Sequence, residues 1–363
     1  MSHPPVYNPD TKTAVLQYTG GTTGLPKAVM LTHQNIFSNI FQNVHFTVKN
    51  ISREKEKLLG VSPFYHVYGM TAVLLLGIFR GSAVICVPRY QTESFLHLIK
   101  KEQPTLFSAV PTVYIAMLQH PLAVPETMQS LKLCMCGSAP MPVDVMEQFQ
   151  EKTGAVILEG YGLSETSPTT HRNPASGKRK IGSIGIPIPN TDCMIVSPED
   201  EKTEVVPGEV GELLIKGPQV MKGYWNRAEE TKHALRNGWL YTGDLARMDE
   251  EGYFYIVGRK KELIIASGYN IYPVEVEQVL YTHSQVKEAV VFGVPDTYRG
   301  ETVYAAVTLT KDAQTTPEEL REWLKEYVAV YKVPAKIEIR ESLPRTSVGK
   351  ILRRRLSEEK QNR

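Results

Sequence analysis

A segment near the start of the chain, residues 19–27 (TGGTTGLPK), combines residue types that bind phosphate. Its glycines let backbone N–H groups approach phosphate oxygens closely, and its threonine hydroxyls and Lys27 add donors and positive charge. It is not a Walker A loop, because that pattern ends in Gly-Lys-Ser/Thr and here Lys27 lies between Pro26 and Ala28. A surface loop of chance composition is the alternative. The position after a strand-like run that we predict to be buried, AVLQY at 14–18, and before a helical pattern favours phosphate binding.

Five further segments of distinctive sequence follow this loop along the chain. They are PFYHVYGM at 63–70, GYGLSET at 160–166, GWLYTGD at 238–244, GRKKELIIASGYNIYPVEVE at 258–277 and PRTSVGKILR at 344–353. Together with YTGGTTGLPK they resemble the six ordered signatures of the adenylate-forming superfamily: acyl-CoA synthetases, peptide-synthetase adenylation domains and luciferases. The TGGTTG loop and the continuous run from GWLYTGD to GRKKE are most similar to a long- or medium-chain fatty-acyl-CoA ligase.

The resemblance implies a reaction in two halves. A carboxylate oxygen of the acid attacks the α-phosphate of ATP, which gives an acyl-adenylate and pyrophosphate. The thiol of CoA then attacks the activated carbonyl. ATP, Mg²⁺ and CoA are therefore the expected cofactors and co-substrates, with a fatty acid as the substrate. In the first half the protein has to position the reacting groups in line and neutralise charge on the phosphates.

The resemblance also assigns roles to single residues. Thr22, Thr23 and Lys27 would hold the β- and γ-phosphates, and Glu165 would bind Mg²⁺, a hard cation that prefers oxygen ligands. The expected catalytic residues are Lys27, His66, Glu165 and Lys350. The expected nucleotide-binding residues are Thr19, Gly20, Gly21, Thr22, Thr23, Gly24, Lys27, Gly137, Ser138, Ala139, Gly160, Tyr161, Gly162, Ser164, Asp244, Arg259, Lys261 and Lys350.

Within this set, the resemblance places Tyr161 against the adenine ring and Ser164 near the α-phosphate. Asp244 would accept from both ribose hydroxyls, and Arg259 would support the same sugar. Lys350 would reach the carboxylate and α-phosphate oxygens as charge builds up in the transition state.

Each of these residues also has a structural interpretation. Tyr161 would be a packed aromatic, and Asp244 would be a turn residue that forms an Asx-turn. Lys350 would be a solvated lysine in a basic tail. The superfamily places His66 where the acyl tunnel meets the nucleotide, and a core histidine that donates to a backbone carbonyl is the alternative.

A framework of strands and helices has to position these motifs. Strand-like runs KLLGVS, AVICV, TLFSAV, LKLCMC and AVILEG alternate with stretches of helical length at 92–102, 111–120 and 142–153. Such alternation predicts βαβ units, a largely parallel sheet and ligands at the carboxyl ends of its strands. After Thr32, a predicted N-cap, apolar residues recur with helical spacing: Ile36, Phe37, Ile40, Phe41 and Val44.

We therefore expect an α/β fold with a multi-strand, parallel-rich N-terminal domain at residues 1–257. Short strand-like runs with Gly and Pro turns predict a small β subdomain at about 182–257. A hinge at 258–261 and an α+β C-terminal domain at 262–363 complete the chain. A Thr316–Glu319 capping box marks a helix in the last domain.

The resemblance implies that the C-terminal domain is mobile and swings about this hinge between the two half-reactions, with Lys261 at the hinge position. One face would bring Lys350 for adenylation. The other would bring Ser267 and Gly268 against the pantetheine arm of CoA. Glycine suits position 268 because a thin substrate arm has to pass close to the backbone.

Composition limits the class of protein. Hydrophobic residues make up 42% and charged residues 22% of 363, as in globular proteins with large cores, and a net charge of +2 argues against nucleic-acid binding. The most apolar stretch, residues 70–79, is about half the length that crosses a bilayer, and MSHPPVYNPD has no signal-peptide pattern. Cys134 and Cys136 are predicted buried thiols. We expect a cytoplasmic protein, with peripheral membrane contact and homo-oligomer formation left open.

Charge is segregated near the end of the chain. Residues 262–331 carry 5 Lys/Arg and 11 Asp/Glu, whereas residues 332–363 carry 10 and 4. A solvated basic helix is one interpretation, and a landing surface for a phosphate-bearing partner is the other.

Superfamily members have a long N-terminal part before the phosphate loop, and here a short segment precedes it. The sequence therefore predicts a fatty-acid–CoA ligase that lacks the start of its N-terminal domain. A ligase for an aryl or short-chain acid is one alternative, and a non-catalytic fragment that binds nucleotide or a partner is another. Amino-acid adenylation is disfavoured, because Phe64-Tyr65-His66 stands where those domains carry an Asp for the substrate ammonium.

Overall fold

The computed structural model describes residues 8–19, 26–47, 56–137, 141–346 and 351–361. The strands are β1 (Thr13–Tyr18), β2 (Ala28–Thr32), β3 (Lys57–Gly60), β4 (Ala83–Cys86), β5 (Leu106–Ala109), β6 (Leu133–Cys136), β7 (Val156–Gly162), β8 (Thr169–Arg172), β9 (Ile186–Pro187), β10 (Asp192–Val196), β11 (Gly211–Lys216), β12 (Gly223–Tyr224), β13 (Leu235–Arg236), β14 (Trp239–Met248), β15 (Phe254–Arg259), β16 (Ile264–Ala266), β17 (Tyr269–Ile271), β18 (Val286–Asp296), β19 (Gly300–Leu309) and β20 (Lys336–Ile339).

The helices are α1 (His33–Thr47), α2 (Val67–Gly69), α3 (Leu76–Arg80), α4 (Thr92–Glu102), α5 (Pro111–Leu118), α6 (Pro125–Met128), α7 (Val143–Thr153), α8 (Ala228–Ala234), α9 (Pro273–Thr282), α10 (Pro317–Tyr327) and α11 (Arg353–Gln361). A π-helical segment, Met70–Leu75, joins α2 to α3. Within the described ranges, no helix combines the length and apolar composition needed to cross a bilayer.

A seven-stranded sheet with the order β4-β3-β5-β6-β7-β8-β9 forms the framework of the large domain. The strands from β4 to β7 in this order are parallel, and β8 and β9 continue antiparallel. These five parallel strands are the five runs predicted from the sequence, and α4, α5 and α7 are the predicted helical stretches. The parallel-rich α/β prediction is confirmed, and Cys134 and Cys136 are buried in β6 as predicted.

A three-stranded antiparallel sheet, β1-β2-β12, carries both ends of the glycine-rich loop. The prediction that β1 is a buried strand is wrong. Gln17 is buried, whereas Leu16 and Tyr18 are 41% and 63% exposed. The physical reason is that, within the described residues, β1 pairs with β2 alone, so this edge strand is covered on fewer sides than a central strand.

Helix α1 follows β2 and begins at the predicted cap. The Thr32 hydroxyl accepts a hydrogen bond from the Asn35 backbone N–H at 3.1 Å. Ile36, Ile40 and Val44 are buried, but the phenyl rings at 37 and 41 are half-exposed. The helical spacing is therefore confirmed, and only part of its apolar stripe faces the core.

The region predicted as a β subdomain contains a five-stranded sheet. Its order is β10-β11-β14-β13, and β15 also pairs with β14. In the antiparallel β14–β15 pair, Asp244 lies directly opposite Arg259. This register brings the carboxylate of one motif beside the guanidinium of the next.

The last part of the chain is the predicted α+β unit. A second five-stranded sheet, β17-β16-β19-β18 with β20 on β19, packs against α9, α10 and α11. The capping box is present: the Thr316 hydroxyl accepts from the Glu319 N–H at 3.2 Å, and the Glu319 carboxylate accepts from the Thr316 N–H at 2.9 Å. Pro317 occupies the first turn of α10, where a missing N–H costs nothing.

The segregated charges of this part meet in space. Lys332 pairs with Glu275, Arg345 with Glu288, and Arg353 with both Glu262 and Glu277. Each of these pairs joins the basic end of the chain to the acidic stretch before it. The basic residues therefore stabilise this domain internally, which favours neither of the two interpretations drawn from the sequence.

Candidate active site

The two ends of the glycine-rich loop are held together by β1 and β2. Tyr18 pairs with Ala28, and the Thr19 N–H donates to the Lys27 carbonyl at 2.9 Å. The predicted phosphate-binding residues between them lie outside the described residues: Gly20, Gly21, Thr22, Thr23 and Gly24. The Lys27 ammonium lies 4.8 Å from the centre of the Tyr224 ring. The structure therefore fixes where the loop begins and ends and where its lysine points.

Glu165 contacts the hydroxyl end of the same tyrosine. The Tyr224 hydroxyl donates to Glu165 Oε1 at 2.8 Å, and the Met221 N–H donates to the Glu165 carbonyl at 2.8 Å. Ser164 and Glu165 share a single 3₁₀ turn, Ser164–Thr166, that follows β7. The carboxylate and the loop lysine, predicted to act on the same triphosphate, are thus brought to one tyrosine.

A second group of predicted residues meets on β7, β14 and β15. Asp244, 3% exposed, accepts from Arg259 Nε at 2.9 Å and from the Tyr161 hydroxyl at 2.5 Å. Burial raises the pKa of Tyr161, and the Asp244 carboxylate raises it further, so this phenol stays protonated. The Asp244 carboxylate raises the pKa of Arg259. The side chain of Asp244 therefore bonds across the sheet instead of forming the Asx-turn that its sequence also allowed.

The two groups belong to one electrostatic cluster. The Glu165 carboxylate, like that of Asp244, acts to raise the pKa of Arg259. Four charged residues from four segments of the sequence converge: two cations, Lys27 and Arg259, and two carboxylates, Glu165 and Asp244. They lie beside the carboxyl end of β7, where ligands bind in parallel α/β sheets.

The glycines of this region differ in whether the fold leaves room for a side chain. A Cβ atom on Gly162 would lie 1.9 Å from the Pro168 carbonyl oxygen, so the fold itself excludes a side chain there. A Cβ on Gly137 would meet only ordinary contacts at 3.7 Å or more. Gly160 pairs with Arg172 in the β7–β8 ladder. Ser138 and Ala139, which follow Gly137, lie outside the described residues.

The remaining predicted residues make contacts of their own or lie outside the described ranges. His66 caps α2, and its Nδ1 accepts from the Tyr68 N–H at 3.2 Å. This local bond decides between neither of the sequence interpretations, and a role near the acyl group stays a prediction. Ser267 and Gly268 are exposed between β16 and β17, with φ angles of +51° and +82°. Lys350 lies outside the described residues.

The predicted hinge lies between two anchored residues. Lys260 pairs with the buried carboxylate of Glu212 at 3.0 Å, on the side of the β subdomain. Glu262 pairs with Arg353, at the start of α11. Lys261, between them, is exposed. Ion pairs therefore anchor the chain immediately before and immediately after Lys261.

Sequence reasoning missed two residues of this region. Tyr224 was not singled out because GYWN in residues 223–226 carries no pattern of its own. Glu159 is buried in the middle of β7, one residue before GYGLSET, and burial raises the pKa of its carboxyl to about 7. An acidic residue at the end of a predicted buried strand was the available signal for Glu159.

The donor set fits a magnesium–nucleotide complex. In the part of the chain that the structure describes, no three His, Cys, Asp or Glu side chains converge as a protein-only metal site. Mg²⁺ typically takes one or two carboxylates and completes its shell with water and substrate phosphates. The single carboxylate of Glu165, beside the end of the glycine-rich loop, matches that requirement.

Two family models match the chain. The AMP-binding enzyme model matches residues 2–225, and the AMP-binding enzyme C-terminal domain model matches residues 275–350. A long-chain-fatty-acid–CoA ligase of Bacillus subtilis (strain 168) is 53% identical over 98% of this chain. The match covers 63% of that relative, so the chain spans under two thirds of its length.

Solved structures give the same result. ATP-bound MatB from Rhodopseudomonas palustris superposes with a TM-score of 0.92 at 34% identity, over 98% of this chain and 69% of that one. The apo structure of MatB gives 0.78 at 33% identity, over 99% and 70%. MenE from Bacillus subtilis, in complex with ATP and a magnesium ion, gives 0.85 at 34% identity, over 96% and 70%. By fold, motifs and family models, the chain belongs to the AMP-binding enzyme family.

Proposed function

We propose that this chain carries the machinery of an ATP- and CoA-dependent fatty-acid ligase. In the first half-reaction a carboxylate oxygen attacks the α-phosphorus of ATP and pyrophosphate leaves; in the second the CoA sulfur attacks the acyl carbon and AMP leaves. The observation that carries the proposal is the convergence of Lys27, Glu165, Asp244 and Arg259. The 53% identical Bacillus subtilis ligase supports a long-chain acid as the substrate class.

The charges suit the tasks of adenylation. Lys27 would hold the terminal phosphates, and Arg259 and Asp244 would hold the ribose, which leaves the reacting phosphorus between them. Glu165 would hold Mg²⁺, which when bound neutralises phosphate charge. Preorganised charges of this kind lower a barrier because they need no reorganisation during the reaction. Tyr161 would pack on the adenine while its hydroxyl stays on Asp244.

The arrangement of the described residues supports the adenylation state. Their overlay on ATP-bound MatB is closer than that on apo MatB, with TM-scores of 0.92 and 0.78. Arg353, three residues after Lys350, is close enough to Arg259 for the two positive charges to interact. We propose a hinge at 258–261, with Lys261 at the hinge position, between a domain at 1–257 and one at 262–363. The opposite orientation would present Ser267 and Gly268 to CoA.

Fatty-acid-dependent ATP–pyrophosphate exchange tests the proposal. The purified chain is assayed with octanoate, palmitate and benzoate. Exchange with a fatty acid supports the ligase, and exchange with benzoate alone supports an aryl-acid ligase. Silence with all three, in a folded chain that binds ATP, would support a non-catalytic fragment that binds nucleotide or a partner.

The role of Lys350 is tested by separating the half-reactions. Lys350→Ala is expected to abolish exchange while thioester formation from supplied acyl-adenylate continues, because only adenylation needs the lysine. Lys311→Ala, at an exposed position of the same domain, is the control. Equal loss of both half-reactions in single-turnover assays would refute the assignment.

The setting of the enzyme is part of the proposal. A cytoplasmic location, peripheral contact with a membrane that supplies fatty acids, and assembly into homo-oligomers all stay predictions from the sequence. Sedimentation of the pure chain with and without vesicles distinguishes the last two.

A further inference from the structure

Tyr224 contacts both charged groups expected at the triphosphate. Its hydroxyl donates to Glu165 Oε1 at 2.8 Å, and the Lys27 ammonium lies 4.8 Å from its ring centre. The side chain is 9% exposed. The sequence motifs do not include it, and it lies nearly 200 residues from Lys27.

The backbone around Tyr224 is fixed from three sides. It pairs with Val29 in the β12–β2 ladder, two residues beyond Lys27. The Tyr224 N–H donates to the Thr231 hydroxyl at 2.9 Å, and the Trp225 N–H donates to the Ala28 carbonyl at 2.8 Å. The ring therefore has little freedom to move away from the end of the loop.

The chemistry of the two contacts leaves both ionic groups able to bind a ligand. An ammonium over a ring face keeps its three N–H donors, because the attraction is to the π system. A carboxylate that accepts one phenol hydrogen bond keeps its second oxygen and further lone pairs. Since burial and Glu165 both raise the pKa of Tyr224, its phenol stays a donor at every ordinary pH.

The alternative to this arrangement is a direct ion pair. A lysine and a glutamate this close attract each other, and a Lys–Glu pair would occupy the charges that a nucleotide needs. Among the ion pairs of the described residues, none joins Lys27 to Glu165. Each group contacts the tyrosine instead: the carboxylate accepts from its hydroxyl, and the ammonium lies over its ring.

We propose that Tyr224 is a positioning residue that separates Lys27 from Glu165 and holds each one open for a magnesium-bound triphosphate. The inference rests on the proposed function only in assigning a triphosphate to these two residues. The inference adds Tyr224 to the site. It predicts that the hydrogen bond to Glu165 can be removed while the ring contact with Lys27 remains.

Calorimetric titration of ATP, with excess Mg²⁺ and with EDTA, tests this on the full chain. Tyr224→Phe keeps the ring and loses the hydrogen bond to Glu165. The loss of a hydrogen bond to a charged group corresponds to a change of about tenfold to a hundredfold in affinity, so we expect ATP affinity in Mg²⁺ to fall within that range and affinity in EDTA to stay unchanged. Tyr224→Leu loses both contacts and is expected to weaken binding in both buffers.

Two controls separate this from a general effect on folding. Tyr255→Phe removes another phenol that donates to a carboxylate, Asp249, far from the loop, and is expected to bind ATP as the wild type does. In a Glu165→Gln background, Tyr224→Phe is expected to have little further effect, because the two residues act as a pair. For each variant, the ratio of the ATP affinity in Mg²⁺ to that in EDTA does not depend on the fraction of folded protein.

The outcomes are distinct. Unchanged affinity of Tyr224→Phe in Mg²⁺, or equal losses in Mg²⁺ and EDTA, would overturn the positioning role. A wild type that binds no ATP would overturn it together with the proposed function. A wild type that binds ATP in a Mg²⁺-dependent way and shows the expected Tyr224 effects, yet supports no exchange with any acid, would support the inference and contradict the ligase.

Discussion

The cluster of Arg353, Glu262 and Glu277 permits a quantitative prediction. The Arg353 guanidinium donates to both oxygens of Glu277, at 2.8 and 3.0 Å, and these two side chains are 18% and 12% exposed. Removal of one partner of a buried ion pair costs about 3 to 5 kcal/mol, because the other charge stays buried without its partner. We therefore expect Arg353→Met to lower the free energy of unfolding by about 3 kcal/mol at pH 8.

The pH dependence of that loss checks its cause. Burial raises the pKa of Glu277 to about 8, and the usual value in an unfolded chain is about 4.3. Removal of the Arg353 cation should raise this pKa further, so in the variant folded Glu277 binds a proton over a wider pH range in which the unfolded chain has released it. Stability then falls as pH rises between these two values, since the folded state holds more protons. The loss in Arg353→Met should accordingly be smaller at pH 5 than at pH 8.

Urea unfolding followed by circular dichroism measures both effects. The double variant Glu277→Gln/Arg353→Met removes the buried charge as well and is expected to regain most of the loss. Arg355→Met, which removes an exposed i,i+4 pair with Glu359, is the control and should change stability by less than about 0.5 kcal/mol. A loss under about 1 kcal/mol in Arg353→Met, or the same loss at both pH values, would refute the reasoning.

Two further predictions concern single contacts. Thr316→Ala removes the cap of α10 and should lower the free energy of unfolding by about 1 kcal/mol, whereas Thr316→Ser should not, as measured by urea unfolding. Lys260 and Arg236 hold the pKa of Glu201 at about 2 in the folded chain. The ionised Glu201 carboxylate therefore stabilises the folded chain at pH values above its pKa in the unfolded chain. This stabilisation is lost as pH falls towards 2. Lys260→Met should therefore flatten the acid limb of a stability–pH curve between about pH 5 and 2; an unchanged limb would contradict the role of this pair.

Local pattern in the sequence was enough to predict most of the framework. The strand β7 and the helices α4 and α7 follow from runs whose apolar spacing and flanking residues all favour one conformation. The Thr316 cap and its Glu319 partner lie three residues apart, so the sequence contains the whole interaction. Such features need no knowledge of distant residues.

Features that depend on residues far apart in the sequence could not be predicted from local sequence patterns. Tyr161 and Asp244 are 83 residues apart, and no spacing rule joins them. The exposure of Leu16 and Tyr18 follows from which strand lies at the edge of a sheet, which is a property of the assembled fold. The contact between Lys27 and Tyr224 is likewise a property of the assembled fold. Resemblance to a family identified candidate site residues, but it did not show which residues they contact.

The sheet that carries the glycine-rich loop has a consequence for the order of folding. Its strand β12 comes roughly 190 residues after β2, with which it pairs. Closing so long a loop costs chain entropy before the pairing returns any stability, and contacts of this kind slow folding. On a growing chain, β1 and β2 are therefore synthesised early, but their sheet is completed late. The strands of the parallel sheet, which lie between β2 and β12 in the sequence, are synthesised before β12. The proposed ATP site would be complete only once residues 224, 244 and 259 have all been synthesised, and bound ATP would then stabilise this late-formed part of the chain.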